Sequence, residues 1–162
     1  MAKSSSQTEL SRRIARLEDI ESVRRLVADY GIAADRGNDP VLFAELLAAD
    51  AVWEAEGFGR HEGAATITAA LAAIGRDAIK WSLHYMVSPR IDIDEDGLRG
   101  KCHWYLWELA RISDEKGERR AHWIGGWYDT ELLREDGRWK FLHIKLSIKL
   151  LSEHKDGWNE LP

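Results

Sequence analysis

The chain has a single cysteine, no apolar run long enough to span a bilayer, no basic patch and no internal repeat among its 162 residues. Each absence removes a class of protein. A lone Cys102 can form neither an internal disulfide nor a cysteine-based zinc site, and it suits a reducing cytoplasm. The longest apolar stretches fall far short of a membrane span, and the polar start Met1–Thr8 lacks the apolar core of a signal peptide. Formal charge is −5 with lysine and arginine dispersed, so nucleic acid is not an expected partner. With no linker-like stretch, the length fits one domain.

What is present is apolar and aromatic. Apolar residues make up 44% of the chain, enough for a real core, and there are eight tryptophans. Six of them, Trp81, Trp104, Trp107, Trp123, Trp127 and Trp139, lie on segments that read as strands. Tryptophan needs a partner for its N–H when buried, so such a cluster points to an interface or to an apolar cavity for a ring-shaped ligand.

The periodicity separates helices from strands. Ile20, Val23, Val27, Tyr30 and Ala34 recur at helical spacing and predict an amphipathic helix over Ile14 to Ala34, closed by Gly37. Asp39-Pro40 predicts the start of a second helix running through Leu47. Ala51–Glu56 reads as a strand, Gly57-Phe-Gly59 as a tight turn, Arg60–Glu62 as a return strand, and Gly63–Ile74 as an alanine-rich helix. From Lys80 onward come four long strands, 80–93, 98–112, 118–134 and 138–151, joined by the turn segments Asp94–Gly97, Ser113–Gly117 and Glu135-Asp-Gly137. Helices first and a meander after predict an α+β fold, a curved antiparallel sheet wrapped on the N-terminal helices. Residues 1–13 are expected to be a flexible N-terminus, 14–154 the single domain and 155–162 a C-terminal tail.

Strand Trp81–Ile93 carries His84 at its middle, and imidazole is the side chain whose ordinary pKa suits proton transfer near neutral pH. Counting outward from the turns pairs His84 with Trp107, Trp107 with Trp123, and Trp123 with Leu150. Paired residues share a face of a sheet. The last strand places Ile144 and Leu146 on its apolar side, so His84, Tyr105, Trp107, Trp123, Trp127, Ile144 and Leu146 are expected to line the interior. Trp104, Leu106, Ile124 and Tyr128 then fall on the outer face, too apolar for water and suited to an interface between identical subunits. His84, His103, His122 and His143 sit one per strand but do not fall opposite one another, so no metal site is expected. A lone imidazole in an apolar hollow needs a carboxylate to fix its tautomer and hold its charge. Asp35, on the flank of the first helix's apolar stripe, is the candidate.

Two sets of residues carry a resemblance. Asp50-Ala-Val-Trp-Glu-Ala-Glu-Gly-Phe-Gly59 and Leu83-His-Tyr85, followed by Arg90-Ile91, are similar to dehydrochlorinases. The spacing Tyr30…Asp35, Trp104-Tyr-Leu106, Gly125-Gly126 and Asp136-Gly-Arg-Trp139 are similar to bile acid dehydratases. In this shared order, from about Ile14 to His154, the chain resembles the SnoaL-like and scytalone-dehydratase-like group of the nuclear-transport-factor-like superfamily. The resemblance implies a cone-shaped α+β fold enclosing a pocket, an Asp–His dyad on Asp35 and His84, and a tyrosine at Tyr30 that binds or protonates substrate oxygen. It also implies a homo-oligomer, trimer or dimer. Two residues of the group are missing: its second histidine falls near Trp107 or Glu108, and its arginine near Ile144.

The expectation is a cofactor-free lyase acting on a bulky apolar substrate such as a steroid, polyketide or terpenoid. His84, Asp35 and Tyr30 would be catalytic; Trp53, Phe58, Tyr105, Trp107, Trp123, Trp127, Ile144 and Leu146 would bind substrate. An isomerase using the same dyad, or a binding domain without chemistry, are the alternatives.

Overall fold

Three helices precede most of a six-stranded sheet in the computed structural model, which describes the backbone of residues 2–158 and the side chains of residues 6–158. The elements are α1 (Ala2–Asp35), α2 (Pro40–Leu46), β1 (Leu47–Ala55), β2 (Gly59–Glu62), α3 (Ala64–Asp77), β3 (Ile79–Ile93), β4 (Arg99–Ser113), β5 (Arg119–Glu135) and β6 (Arg138–Glu153). The expected α+β class is the observed one. The sheet is curved and unclosed, in the order β2-β1-β6-β5-β4-β3. It is mixed rather than purely antiparallel, because β1 runs parallel to β6.

Local chemistry accounts for the element ends. Asp39 Oδ1 accepts from the backbone N–H groups of Val41 and Leu42 at 2.9 and 3.2 Å, with Pro40 in the first turn of α2. Asp136 and Gly137, both at positive φ, close a two-residue hairpin between β5 and β6. The stripe Val23, Val27, Tyr30 and Ala34 is buried, as its spacing requires, against a core that includes Phe43, Trp104 and Phe141. Two termini differ from expectation. Helix α1 begins at Ala2 rather than Ile14, and residues 6–18 are all exposed, so its apolar periodicity marks only the part that packs. At the other end, His154 N–H donates to the Ala121 carbonyl and Trp158 stacks on His154, docking the expected tail onto the sheet as far as Trp158; residues 159–162 lie outside the described residues. Among the described residues no helix is long and apolar enough to cross a membrane.

The strand registers correct the expected faces. Tyr85, not His84, pairs with Trp107, while His84 pairs with Glu108; Trp107 and Leu150 both pair with Gly125. Three irregularities displace the count from the turns. Strand β3 is irregular between Val87 and Arg90, where Ser88 has φ 55°; β6 is irregular opposite Glu131/Leu132 and again opposite Gly125/Gly126. A one-residue slip turns a whole strand over, because side chains alternate with period two. The inward positions of β4 are therefore Cys102, Trp104, Leu106, Glu108 and Ala110. Trp104, Leu106, Ile124 and Tyr128, expected outside, are core residues. Tyr105, Trp107, Trp123 and Trp127, expected inside, lie on the opposite face.

Candidate active site

Asp35 is the last residue of α1, the helix that packs against β3. Strand β3 is an edge of the sheet, so one side of its backbone has no strand to bond. Asp35 Oδ1 answers part of that need: it accepts from the His84 backbone N–H at 2.8 Å and contacts the ring Nδ1 at 2.7 Å. One oxygen thus holds both the strand and the imidazole. In the tautomer that carries its proton on Nδ1, the ring donates to Asp35 and leaves the Nε2 lone pair free.

Glu108, the register partner of His84 on β4, meets that nitrogen. Its Oε2 lies 3.3 Å from His84 Nε2, and its side chain is 5% exposed. Oε1 is buried with no hydrogen-bond partner. Burial pushes the Glu108 carboxyl above its ordinary range and the negative charge of Asp35 adds to that, while the charge on His84 opposes it. An imidazole thus stands between two carboxyls, one at each nitrogen, at the centre of the candidate site. Glu108 is a site residue the sequence reading passed over. Once the register is known it stands out as the one charged residue among Cys102, Trp104, Leu106, Glu108 and Ala110 of β4.

Tyr30 and Tyr128 form the second polar group. Tyr30 is buried, and its hydroxyl accepts from the Trp53 indole N–H at 3.0 Å. Its ring stands edge-on to Tyr128 at 5.4 Å. Burial pushes the Tyr30 hydroxyl up to about 12, with hydrogen bonds from Trp53 and Tyr128 opposing and the charge of Glu108 assisting. Tyr128 is also raised, chiefly by burial. Tyr30 therefore stays protonated and has an O–H to offer an acceptor.

A cavity of about 60 Å³ joins these groups. His84, Glu108, Tyr30 and Tyr128 line it with Trp53, Phe58, Leu146 and residues of α3 such as Leu71 and Ile74; among the described residues no lysine or arginine does. Of the residues expected to bind substrate, Trp53, Phe58 and Leu146 reach it. Ile144 is on the same face of β6 but wholly buried in the core, and Tyr105, Trp107, Trp123 and Trp127 stand on the far side of the sheet because of the register shifts in β3 and β6. The volume is well below the ~150 Å³ that holds benzene.

A larger hollow lies elsewhere. An open groove of about 700 Å³ on the outer face is lined by Arg90, Lys101, His103, Tyr105, Asp129 and Lys145, among others. It contains a second pair, His103 Nδ1 to Asp129 Oδ1 at 2.8 Å, with side chains 35% and 56% exposed. Water screens such a pair, and nothing encloses it. The small cavity, with its buried unpartnered oxygen, is the better site despite its size.

Comparison with known proteins agrees with the architecture. A family model described as SnoaL-like domain matches residues 15–145. No curated protein matches the chain. Among solved structures, LinA superposes with a TM-score of 0.83 at 19% identity, over 93% of this chain and 99% of its own. The hexachlorocyclohexane dehydrochlorinase LinA-type3 from Novosphingobium barchaimii LL02 gives 0.75 at 19%, over 93% and 99%. A candidate scytalone dehydratase from Novosphingobium aromaticivorans DSM 12444 gives 0.72 at 22%, over 86% and 89%. At such identities these structures share the fold with this chain, and the fold alone.

Proposed function

The chain belongs to the SnoaL-like domain family, and we propose that it is a cofactor-independent lyase whose base is His84, held by Asp35. His84 Nε2 takes a proton from carbon beside an electron-withdrawing group while a hydroxyl or halide leaves the neighbouring carbon. Asp35 keeps the Nδ1 proton in place and stabilises the imidazolium that forms. Tyr30, which keeps its own proton, donates to the substrate oxygen on which charge grows. A positioned base contributes about 10²–10⁴-fold in rate, and orientation in a dry pocket supplies much of the rest. The observation that carries this reading is the 2.7 Å contact between Asp35 Oδ1 and His84 Nδ1 at the wall of an apolar cavity. The activities named for two of the structural neighbours, a dehydrochlorinase and a candidate scytalone dehydratase, support it.

The pocket's chemistry restricts the substrate. With no cation in its lining and a carboxyl at its centre, it opposes anionic ligands. Its small volume favours a compact, uncharged molecule. A larger one would enter by displacement of Phe58, carried on the turn between Gly57 and Gly59, both at positive φ. The test is a screen of uncharged β-hydroxy and β-halo ketones for loss of water or halide, with product analysis to separate elimination from isomerisation. Wild type should yield the enone, and His84→Ala should not while keeping its fold; activity retained in His84→Ala overturns the assignment.

The same reading includes an assembly of identical chains. Leu83, Tyr85, Tyr105, Trp107 and Leu150 are exposed apolar residues on the outer sheet face, and a second copy would remove them from water.

A further inference from the structure

We infer that Glu108 is the acid of the reaction, giving a proton to the departing hydroxyl and recovering one from His84 Nε2. This rests on the lyase reading and assigns a second catalytic residue to it. The geometry singles out the role. The two oxygens of one carboxyl have different surroundings: Oε2 stands 3.3 Å from His84 Nε2, while Oε1 has no protein partner although the residue lines the cavity. A carboxyl kept only to orient the ring would not need an empty second oxygen. Leaving a buried polar atom unpaired is unfavourable, so its retention calls for a partner that arrives with the ligand. The surroundings favour the neutral acid. Burial dominates, and Asp35, Tyr30 and Tyr128 offer no positive charge; only protonated His84 would oppose.

The step balances without another reactant. The Nε2 lone pair takes the proton from Cα, and the C–H electrons become the new C=C bond. The C–O electrons leave with the hydroxyl oxygen, which takes the Glu108 proton and departs as water. Imidazolium and carboxylate are then neighbours, and the Nε2 proton crosses to Oε2, restoring both groups. A half-turn of the carboxyl presents the proton to the next substrate, since the terminal torsion of glutamate is soft. The net change is substrate to alkene plus water.

The leaving group supplies the test. Water leaves as hydroxide unless it is protonated, whereas chloride departs unaided. We would compare 4-hydroxybutan-2-one with 4-chlorobutan-2-one, both forming methyl vinyl ketone, in wild type, Glu108→Gln and His84→Ala. Glu108→Gln should lower kcat/KM on the hydroxy ketone by about 100-fold or more, within the range of acid catalysis, and on the chloro ketone by less than about 10-fold. His84→Ala should abolish both. Equal loss on the two ketones in Glu108→Gln, or no loss, overturns the acid role while leaving the base assignment standing. Turnover of neither by wild type counts against the lyase reading, and infrared spectroscopy then decides Glu108 separately. A carboxylic-acid band at pH 7 that vanishes in Glu108→Gln supports the inference, and an ionised Glu108 at that pH overturns it.

Discussion

His84 and Glu108 face each other across β3 and β4 as register partners, with imidazole Nε2 3.3 Å from carboxyl Oε2. With Asp35 Oδ1 on Nδ1, Nε2 is the ring nitrogen that faces Glu108 and the cavity.

Asp35→Asn should retain the fold and lose activity. The amide oxygen can still accept from the strand, but it brings no charge to stabilise an imidazolium, and it can hold the ring in the wrong tautomer. A drop in kcat of about 10²–10⁴-fold is expected, with a small change in melting temperature. Steady-state kinetics and thermal unfolding of the same preparation check both halves.

Glu108 should make wild-type stability fall as pH rises. Its folded pKa is raised above the ordinary carboxyl value of 4.5, so in the window above 4.5 the folded state binds more protons than the unfolded one. Stability then declines with pH through that window, and it is fully present below it. Glu108→Gln removes the titration. Its melting temperature relative to wild type should therefore increase from pH 4 to pH 8; a constant difference would count against the raised pKa.

Trp53→Phe deletes the N–H donor that Tyr30 accepts at 3.0 Å. The hydroxyl keeps Tyr128, so the expected loss is about 1 kcal/mol of unfolding free energy. Tyr30→Phe is the harsher change, since it leaves the Trp53 N–H buried without a partner at a cost of about 1–3 kcal/mol. Denaturant titration should rank the two in that order, and Tyr30→Phe should also lower turnover.

Gly126→Ala should destabilise the sheet beside Ile148, a residue of the pocket lining. An added Cβ would collide with the Ser147 carbonyl oxygen, a backbone atom that cannot step aside locally. A loss of about 1–3 kcal/mol is expected, visible as a lower denaturant midpoint at unchanged slope.

Trp107→Asp places a charge in the outer aromatic face, where Trp107 stacks on Trp123 at 5.4 Å. If a second copy covers that face, sedimentation should show a smaller species than wild type at equal concentration. The cavity lies on the other side of the sheet, so chemistry should be affected only through assembly.

The linear order of residues determined much of this protein by itself. Helix stripes, turn glycines, the capping Asp39 and the long alternating strands are local signals, read within a few residues. They led to the α+β class and to every element within a few positions, apart from the exposed start of α1, which has no packing stripe to mark it. The joining of Asp35 to His84 was also within reach, because a helix end and a strand centre each carry a recognisable chemistry. The faces of the sheet were decided only by tertiary structure. Pleat alternation has period two, so each unpaired residue near Ser88, Leu142 and Gly126 turns over the rest of its strand. Those reversals emptied the pocket of four expected aromatics and brought in Ile124, Tyr128 and Glu108. Pocket size was likewise beyond the sequence, since side chains from α3 and the Phe58 turn fill space that no local pattern measures.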